Sequence, residues 1–221
     1  MTNKLSVSMM CANQLKLAEE IQRLDKVGVD YFHMDIMDSI FVPNITLGID
    51  TVNAMRSVTN TPFDIHLLLT RPINIIHDLV IKPNDIVTFH AEAVENPLEL
   101  IAHIKKHDAR VGVALNPETT IQKIEHYLVY IDVIILMLIT PGFAGSQMIH
   151  GIMHKVRDFR QYLDERSLND VEISVDGGVS AELAKAMSKD GASIFVGGTS
   201  GVFKKDMPFE KAIEIFYEHI S

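Results

Sequence analysis

The stretch "YFHMDIMDSIFVPN" (31–44) decides how the chain is read. It has the look of a buried strand running into a loop, yet it carries a histidine and two aspartates. Charged groups are costly to bury alone, so His33, Asp35 and Asp38 require partners or a bound ion. His33 and Asp35 lie two apart and therefore share one face of an extended strand. Asp38 is placed to anchor the loop that follows, and "VPN" (42–44) is first of all a turn.

Working outward, similar short apolar runs recur along the chain: "LSVSMM" (5–10), "FDIHLLL" (63–69), "DIVTFH" (85–90), "RVGVAL" (110–115), "VIILML" (133–138), "EISVDG" (172–177) and "SIFVGG" (193–198). Helical patterns fall between them, as in "NQLKLAEEIQRLDKV" (13–27), "NPLELIAHIKKH" (96–107) and "AELAKAMSKD" (181–190), with "PFEKAIEIFYEHI" (208–220) closing the chain. In the first of these Leu15, Ala18, Ile21 and Leu24 repeat at helical spacing and Gly28 stands where a helix can stop. Alternating strands and helices imply right-handed βαβ units and a parallel sheet. Eight such units in 221 residues predict a TIM (β/α)8 barrel forming a single domain over 1–221. An open doubly wound sheet is the competing arrangement, but no G-x-G-x-x-G follows the first strand.

A hydrophobic content of 47% and a charged content of 22% are those of an ordinary globular protein. The most apolar run, "VIILMLI" (133–139), is too short to cross a bilayer, and "MTNKLSVSMMCA" lacks the apolar core of a secretory signal. With the single cysteine Cys11, this predicts a cytoplasmic protein that meets no membrane. The net charge of −9, without a dense Lys/Arg block, argues against a nucleic-acid partner.

Barrel chemistry sits where strands run into their following loops. Those strand ends carry Ser8, His33 with Asp35, His66, His90, Asn116, Thr140, Asp176 and Gly198, a polar ring on apolar strands. Two histidines and two aspartates, His33, Asp35, His66 and Asp176, suit a divalent ion: zinc first, with iron, manganese, cobalt or magnesium as alternatives. Three glycine-rich turns, "TPGFAGS" (140–146), "DGGVS" (176–180) and "GGTSG" (197–201), follow the last three strands and contain no Lys or Arg. They predict phosphate held by backbone N–H groups. No lysine stands at a strand end, which excludes a Schiff-base aldolase. Cys11 has no activating partner in the sequence and is read as a packed thiol. Methionines such as Met9 and Met10 read as core filler.

Taken in order, "HMDIMDSIFVPNITLG", "DIHLLL", "FHAEA", "LNPET", "DVIILMLITPGFAG", "VDGGV" and "FVGGTSGVF" resemble the ribulose-phosphate 3-epimerase family over nearly the whole chain. The resemblance implies a metal-dependent barrel that inverts C3 of a phosphorylated ketose. It implies metal ligation by His33, Asp35, His66 and Asp176, and acid/base roles for Asp35 and Asp176 in a two-base proton transfer through an enediolate. It also implies substrate contacts at Ser8, His66, Gly142, Phe143, Ala144, Gly145, Gly177, Gly178, Gly198 and Thr199. Met37, Leu68 and Met137 would cap the reacting carbons. The sequence departs from the family pattern at "HLLL" for "HLMV", at "PGFAGS" for "PGFGGQ", at "MDS" for "MDG" or "MDN", and at "GTSGVF" for a shorter ending. The implied substrate is D-ribulose 5-phosphate, converted to D-xylulose 5-phosphate. The alternative is D-allulose 6-phosphate, converted to D-fructose 6-phosphate. A non-catalytic sugar-phosphate binding protein would leave the two His/Asp pairs without a purpose. A homo-oligomer is expected, since barrel helices often form dimer interfaces.

Overall fold

The structure, a computed structural model, describes residues 2–145, 148–149 and 151–221. Ser146, the last residue of the "TPGFAGS" turn, lies outside the described residues. Eight parallel strands close on themselves in sequence order. They are β1 (Lys4–Ser8), β2 (Tyr31–Met37), β3 (Phe63–Leu68), β4 (Ile86–His90), β5 (Arg110–Leu115), β6 (Val133–Met137), β7 (Glu172–Asp176) and β8 (Ile194–Gly197). The expected TIM barrel is the observed fold.

The strands read as unbroken apolar runs because both of their faces are buried. Outward residues such as Leu5, Phe32, Ile65, Phe89, Leu136 and Phe195 pack under the helices. Inward residues alternate with them. Tyr31, Ile86, Ala114, Val133, Ile135, Met137 and Ile194 form a separate apolar cluster inside the barrel. Polar side chains fill much of the rest of the interior, with Ser6, His33, Asp64, Thr88 and Ser174 all buried. Gly112 on β5 pairs with Thr88 on β4, and a Cβ there would stand 2.0 Å from Thr88 Oγ1. Glycine is what lets the threonine occupy the interior. At the amino-terminal end, Glu172 joins Lys4 (2.9 Å) and Arg110, tying β1, β5 and β7 across the barrel floor.

Six α-helices are present among the described residues: α1 (Leu17–Val27), α2 (Ile49–Met55), α3 (Pro97–Lys105), α4 (Ile152–Asp164), α5 (Ala181–Lys189) and α6 (Phe209–Ile220). Two crossovers use short 3-10 turns instead, at Pro72–Asn74 and Ile76–Asp78 and at Ile121–Lys123 and Glu125–Tyr130. The first helix begins later than its periodicity suggests. Asn13 accepts a hydrogen bond from the Leu15 N–H and opens a 3-10 turn over Gln14–Lys16, which leaves Leu15 97% exposed. Ala18 is exposed too. The inward face is Leu17, Ile21 and Leu24, and Gly28 ends the helix in the left-handed conformation that favours glycine. Similarly, β1 stops at Ser8, and Met9 and Met10, expected in the strand, belong with Cys11 to a 3-10 turn.

Candidate metal centre and active site

Strand register brings distant residues together at the carboxyl-terminal end of the barrel. Asp35 on β2 pairs with His66 on β3, Ser8 on β1 with His33 on β2, and Met137 on β6 with Asp176 on β7. One donor atom from each of His33, Asp35, His66 and Asp176 lies within 4.8 Å of all the others. His33 Nε2 is 3.2 Å from Asp35 Oδ1 and 3.9 Å from Asp176 Oδ2. His66 Nδ1 is 3.4 Å and 3.6 Å from the same two oxygens. Donors about 2.0–2.1 Å from one shared ion stand roughly 3.3 Å apart in a tetrahedron, so these spacings match the edges of a metal cage. His66 Nδ1 is moreover buried without a hydrogen-bond partner, although it faces this cluster. Two imidazole nitrogens and two carboxylates therefore fit a divalent ion in both geometry and donor chemistry.

A second layer of polar residues fixes these donors. Asp64 Oδ2 accepts from His33 Nδ1 (2.7 Å) and from Ser6 Oγ (2.8 Å), which turns the other nitrogen of His33 toward the cluster. Ser8 Oγ donates to Asp35 Oδ2 at 3.0 Å. Behind His66, its Nε2 meets His90 Nε2 at 2.9 Å, and His90 Nδ1 meets Glu92 Oε2 at 3.3 Å. Sequence reading missed Asp64, Ser6 and Glu92, and it gave His90 no role. A signal for Asp64 was available: it lies two residues before His66, the same spacing as His33 and Asp35, and so shares the inward face.

The electrostatics divide the two carboxylates. Burial alone would raise the pKa of Asp35, but the adjacent His33 and His66 outweigh it and hold Asp35 below the usual carboxylate range. Asp176 is raised, by burial first and then by the neighbouring Asp35 carboxylate, against the opposing histidines. Burial disfavours charge on His33, yet Asp35 and Asp64 keep its pKa well above the ordinary imidazole value. The two carboxylates and two imidazoles thus titrate as one interacting group, with opposite shifts on Asp35 and Asp176.

The cluster opens into a cleft at the carboxyl ends of the strands, reached by Asp35 and by Asp176, whose side chain is 16% exposed. His33 and His66 lie beneath it, fully buried. Met37, Leu68 and Met137 form an apolar edge, Met37 and Leu68 packing with Val42, Met10 and Phe41. Gly142 to Gly145, Phe143 and Ala144 included, line one wall; Ser8, Gly177, Gly178, Gly198 and Thr199 line others. Gly177 has φ +114°, and a Cβ there would meet the Ile139 side chain at 2.6 Å, so the close turn requires glycine. Asn44 Nδ2 donates to the Gly142 carbonyl (2.7 Å), bracing the β6 loop against the β2 loop. Asp38 ties down that β2 loop, accepting from the N–H groups of Ile40, Phe41 and Thr70. Among the described residues the cleft wall contains no Lys or Arg. Cys11 also borders it, its thiol pushed up in pKa by burial, which disfavours the thiolate.

A closed parallel barrel with acidic and imidazole donors converging at its carboxyl-terminal face has the construction of a TIM-barrel enzyme. The ribulose-phosphate 3 epimerase family model matches residues 4–203. Over 197 residues the chain is 38% identical to the ribulose-phosphate 3-epimerase of Bacillus subtilis, covering 89% of this chain and 91% of that protein. It is 36% identical over 203 residues to the ribulose-phosphate 3-epimerase of Methanocaldococcus jannaschii, covering 92% and 85%. The chain belongs to the ribulose-phosphate 3-epimerase family and, with it, to the isomerases. Solved structures further away share the fold alone. One is the KGPDC of Streptococcus mutans (TM-score 0.66, 18% identity, covering 100% of this chain and 98% of that one). Another is the orotidine 5'-phosphate decarboxylase of Pyrococcus horikoshii (TM-score 0.65, 14% identity, covering 98% and 99%).

Proposed function

We propose that this protein epimerises a phosphorylated ketose at C3, interconverting D-ribulose 5-phosphate and D-xylulose 5-phosphate. The observation that carries the reading is the convergence of His33, Asp35, His66 and Asp176, with both carboxylates reaching the same cleft from opposite sides of the strand order. His33, Asp35, His66 and Asp176 would hold a divalent ion, zinc by preference. Such an ion supplies a Lewis acid that makes a proton next to a carbonyl easier to remove.

The chain's own residues then divide the work. Asp35, oriented by Ser8, accepts the C3 proton in one direction. Asp176, reaching the cleft from β7, delivers one to the opposite face of the planar enediolate. In the reverse reaction the two exchange duties. Met37, Leu68 and Met137 exclude water from the reacting carbons, which strengthens electrostatic interactions there. Backbone N–H groups around Gly142 to Gly145, Gly177, Gly178, Gly198 and Thr199 receive the phosphate, in keeping with a wall free of Lys and Arg among the described residues.

The test is turnover together with solvent-deuterium incorporation at C3. Asp176→Asn is expected to lower kcat by about 10²–10⁴-fold, the usual contribution of a positioned acid or base. Its exchange at C3 should fall in parallel while the barrel stays folded. Near-normal turnover and exchange in that variant would sink the two-aspartate scheme. Comparing kcat/KM for ribulose 5-phosphate and allulose 6-phosphate tests the substrate, and a preference for the hexulose would replace the pentulose assignment.

A further inference from the structure

His90 and Glu92 lie outside the four-donor cluster, yet they are joined to it by an unbroken line of polar contacts. His90 is fully buried at the end of β4. Its ring lies nearly parallel to that of His66, at 14° with centroids 5.0 Å apart, and the Phe41 ring packs on it at 4.8 Å. On one side its Nε2 faces His66 Nε2 at 2.9 Å; on the other its Nδ1 faces Glu92 Oε2 at 3.3 Å. Glu92 is itself anchored, its Oε1 accepting from the Asn116 N–H at 2.9 Å. Lys155 secures that segment by donating to the carbonyls of Asn116 (2.7 Å) and Pro117 (3.1 Å).

The direction of these hydrogen bonds follows from what each group can do. A carboxylate only accepts, so the proton between Glu92 and His90 belongs to His90 Nδ1. Two imidazole nitrogens at 2.9 Å share one proton, since two protonated nitrogens would repel. A neutral His90 already protonated at Nδ1 has only a lone pair at Nε2, and His66 Nε2–H must donate to it. His66 Nδ1 then keeps its lone pair, and this is the buried nitrogen that has no hydrogen-bond partner and faces Asp35 and Asp176. His33 is oriented by a shorter route and with the other nitrogen, because its Nδ1–H donates directly to Asp64.

We infer that His90 is a positioning residue of the metal centre. Fixed through Nδ1 by Glu92, it accepts the Nε2 proton of His66 and so sets Nδ1 of His66 as the ligand atom. This rests on the reading of the four-residue cluster as a metal site. Relays of this kind orient metal-binding histidines and fix their tautomer, and losing one weakens metal affinity about 10–100-fold.

The experiment has two readouts. In metal-free protein labelled with ¹⁵N-histidine, two-bond nitrogen–proton correlation spectra report which ring nitrogen carries the proton, with His90→Gln serving to assign the His90 signals. The expected result is His66 protonated at Nε2 and His90 at Nδ1; His66 protonated at Nδ1 would overturn the relay. In parallel, zinc is titrated into wild type and variants. His90→Phe is expected to bind zinc about 10–100-fold more weakly. His90→Gln should recover most of the loss, because a carboxamide can accept from His66 and donate to Glu92. Unchanged affinity in His90→Phe overturns the proposal. Should His90→Phe not fold, the tautomer spectrum of the wild type still decides. Zinc bound by wild type with the opposite tautomer removes the relay alone, whereas wild type that binds no zinc removes the metal site and the relay with it.

Discussion

Arg56 and Asp85 show how much one pair of side chains can fix. Asp85 is completely buried between β3 and β4, and both its oxygens meet the guanidinium of Arg56, at 2.6 and 3.0 Å. The same carboxylate accepts from the N–H groups of Phe63 (2.8 Å) and Lys82 (2.7 Å), and the guanidinium lies over the Phe63 ring at 3.6 Å. Removing one member of such a pair leaves a charge in the interior without compensation. Arg56→Met is therefore expected to lose about 3–5 kcal/mol of stability. Urea denaturation checks this, and a loss below about 1 kcal/mol would mean that water replaces the guanidinium, as at an exposed ion pair.

Among the elements, β4 and β5 are joined by a steric constraint as well as by hydrogen bonds. The Thr88 side chain occupies the space a side chain at Gly112 would need, and its hydroxyl is buried without a partner. Gly112→Ala should cost about 1–3 kcal/mol by overpacking. Adding Thr88→Ala should restore part of it, because that change removes the nearest obstructing atom, an orphaned hydroxyl 2.0 Å from the new Cβ, and leaves the Cβ of residue 88 at 2.8 Å to be accommodated. Thermal unfolding of the single and double variants decides the matter, and a Gly112→Ala protein as stable as wild type would show that the barrel yields there. This pairing also shows why the sequence is legible at some levels and opaque at others. All eight strands can be read from the chain because burial on both faces leaves an apolar run that no loop imitates. The four-donor cluster is legible because barrel strands place their chemistry at predictable ends. The start of α1 is not legible, because a cap at Asn13 shifts the helix while Leu15 still fits the period. Asp64 shows its inward direction in the sequence but not its partner, which is His33, 31 residues away on the neighbouring strand; pairing across a barrel is written in register, not in spacing.

At the scale of the whole molecule, closure of the barrel depends in part on buried carboxylates. Burial alone would raise the pKa of Glu172, but Lys4 and Arg110 outweigh it and hold it below its ordinary 4.5. Glu92 is opposed by burial in the same way, yet His90, Thr119 and the Asn116 N–H bring it down to about 2. A depressed carboxyl contributes its full stabilisation above its unfolded pKa and loses it as pH falls through the folded value. The barrel is therefore expected to weaken progressively from about pH 4.5 downward. Denaturation midpoints measured between pH 6 and pH 2.5, roughly spanning that window, should show Glu172→Gln less stable at the upper end and with a shallower decline below. Parallel acid limbs for the two proteins would count against the floor ion pairs as a source of acid sensitivity.

The donors His33, Asp35, His66 and Asp176 come from β2, β3 and β7, so they meet only once the ring of strands has closed. An unfolded chain scatters them along more than half its length and has little to offer an ion. An ion bound there as proposed would act as a clasp on the barrel, adding RT ln(1 + [L]/Kd), or about 2.7 kcal/mol at a hundredfold excess over Kd. With an ion bound there as proposed, its supply would set how stable the protein is, quite apart from how fast it works.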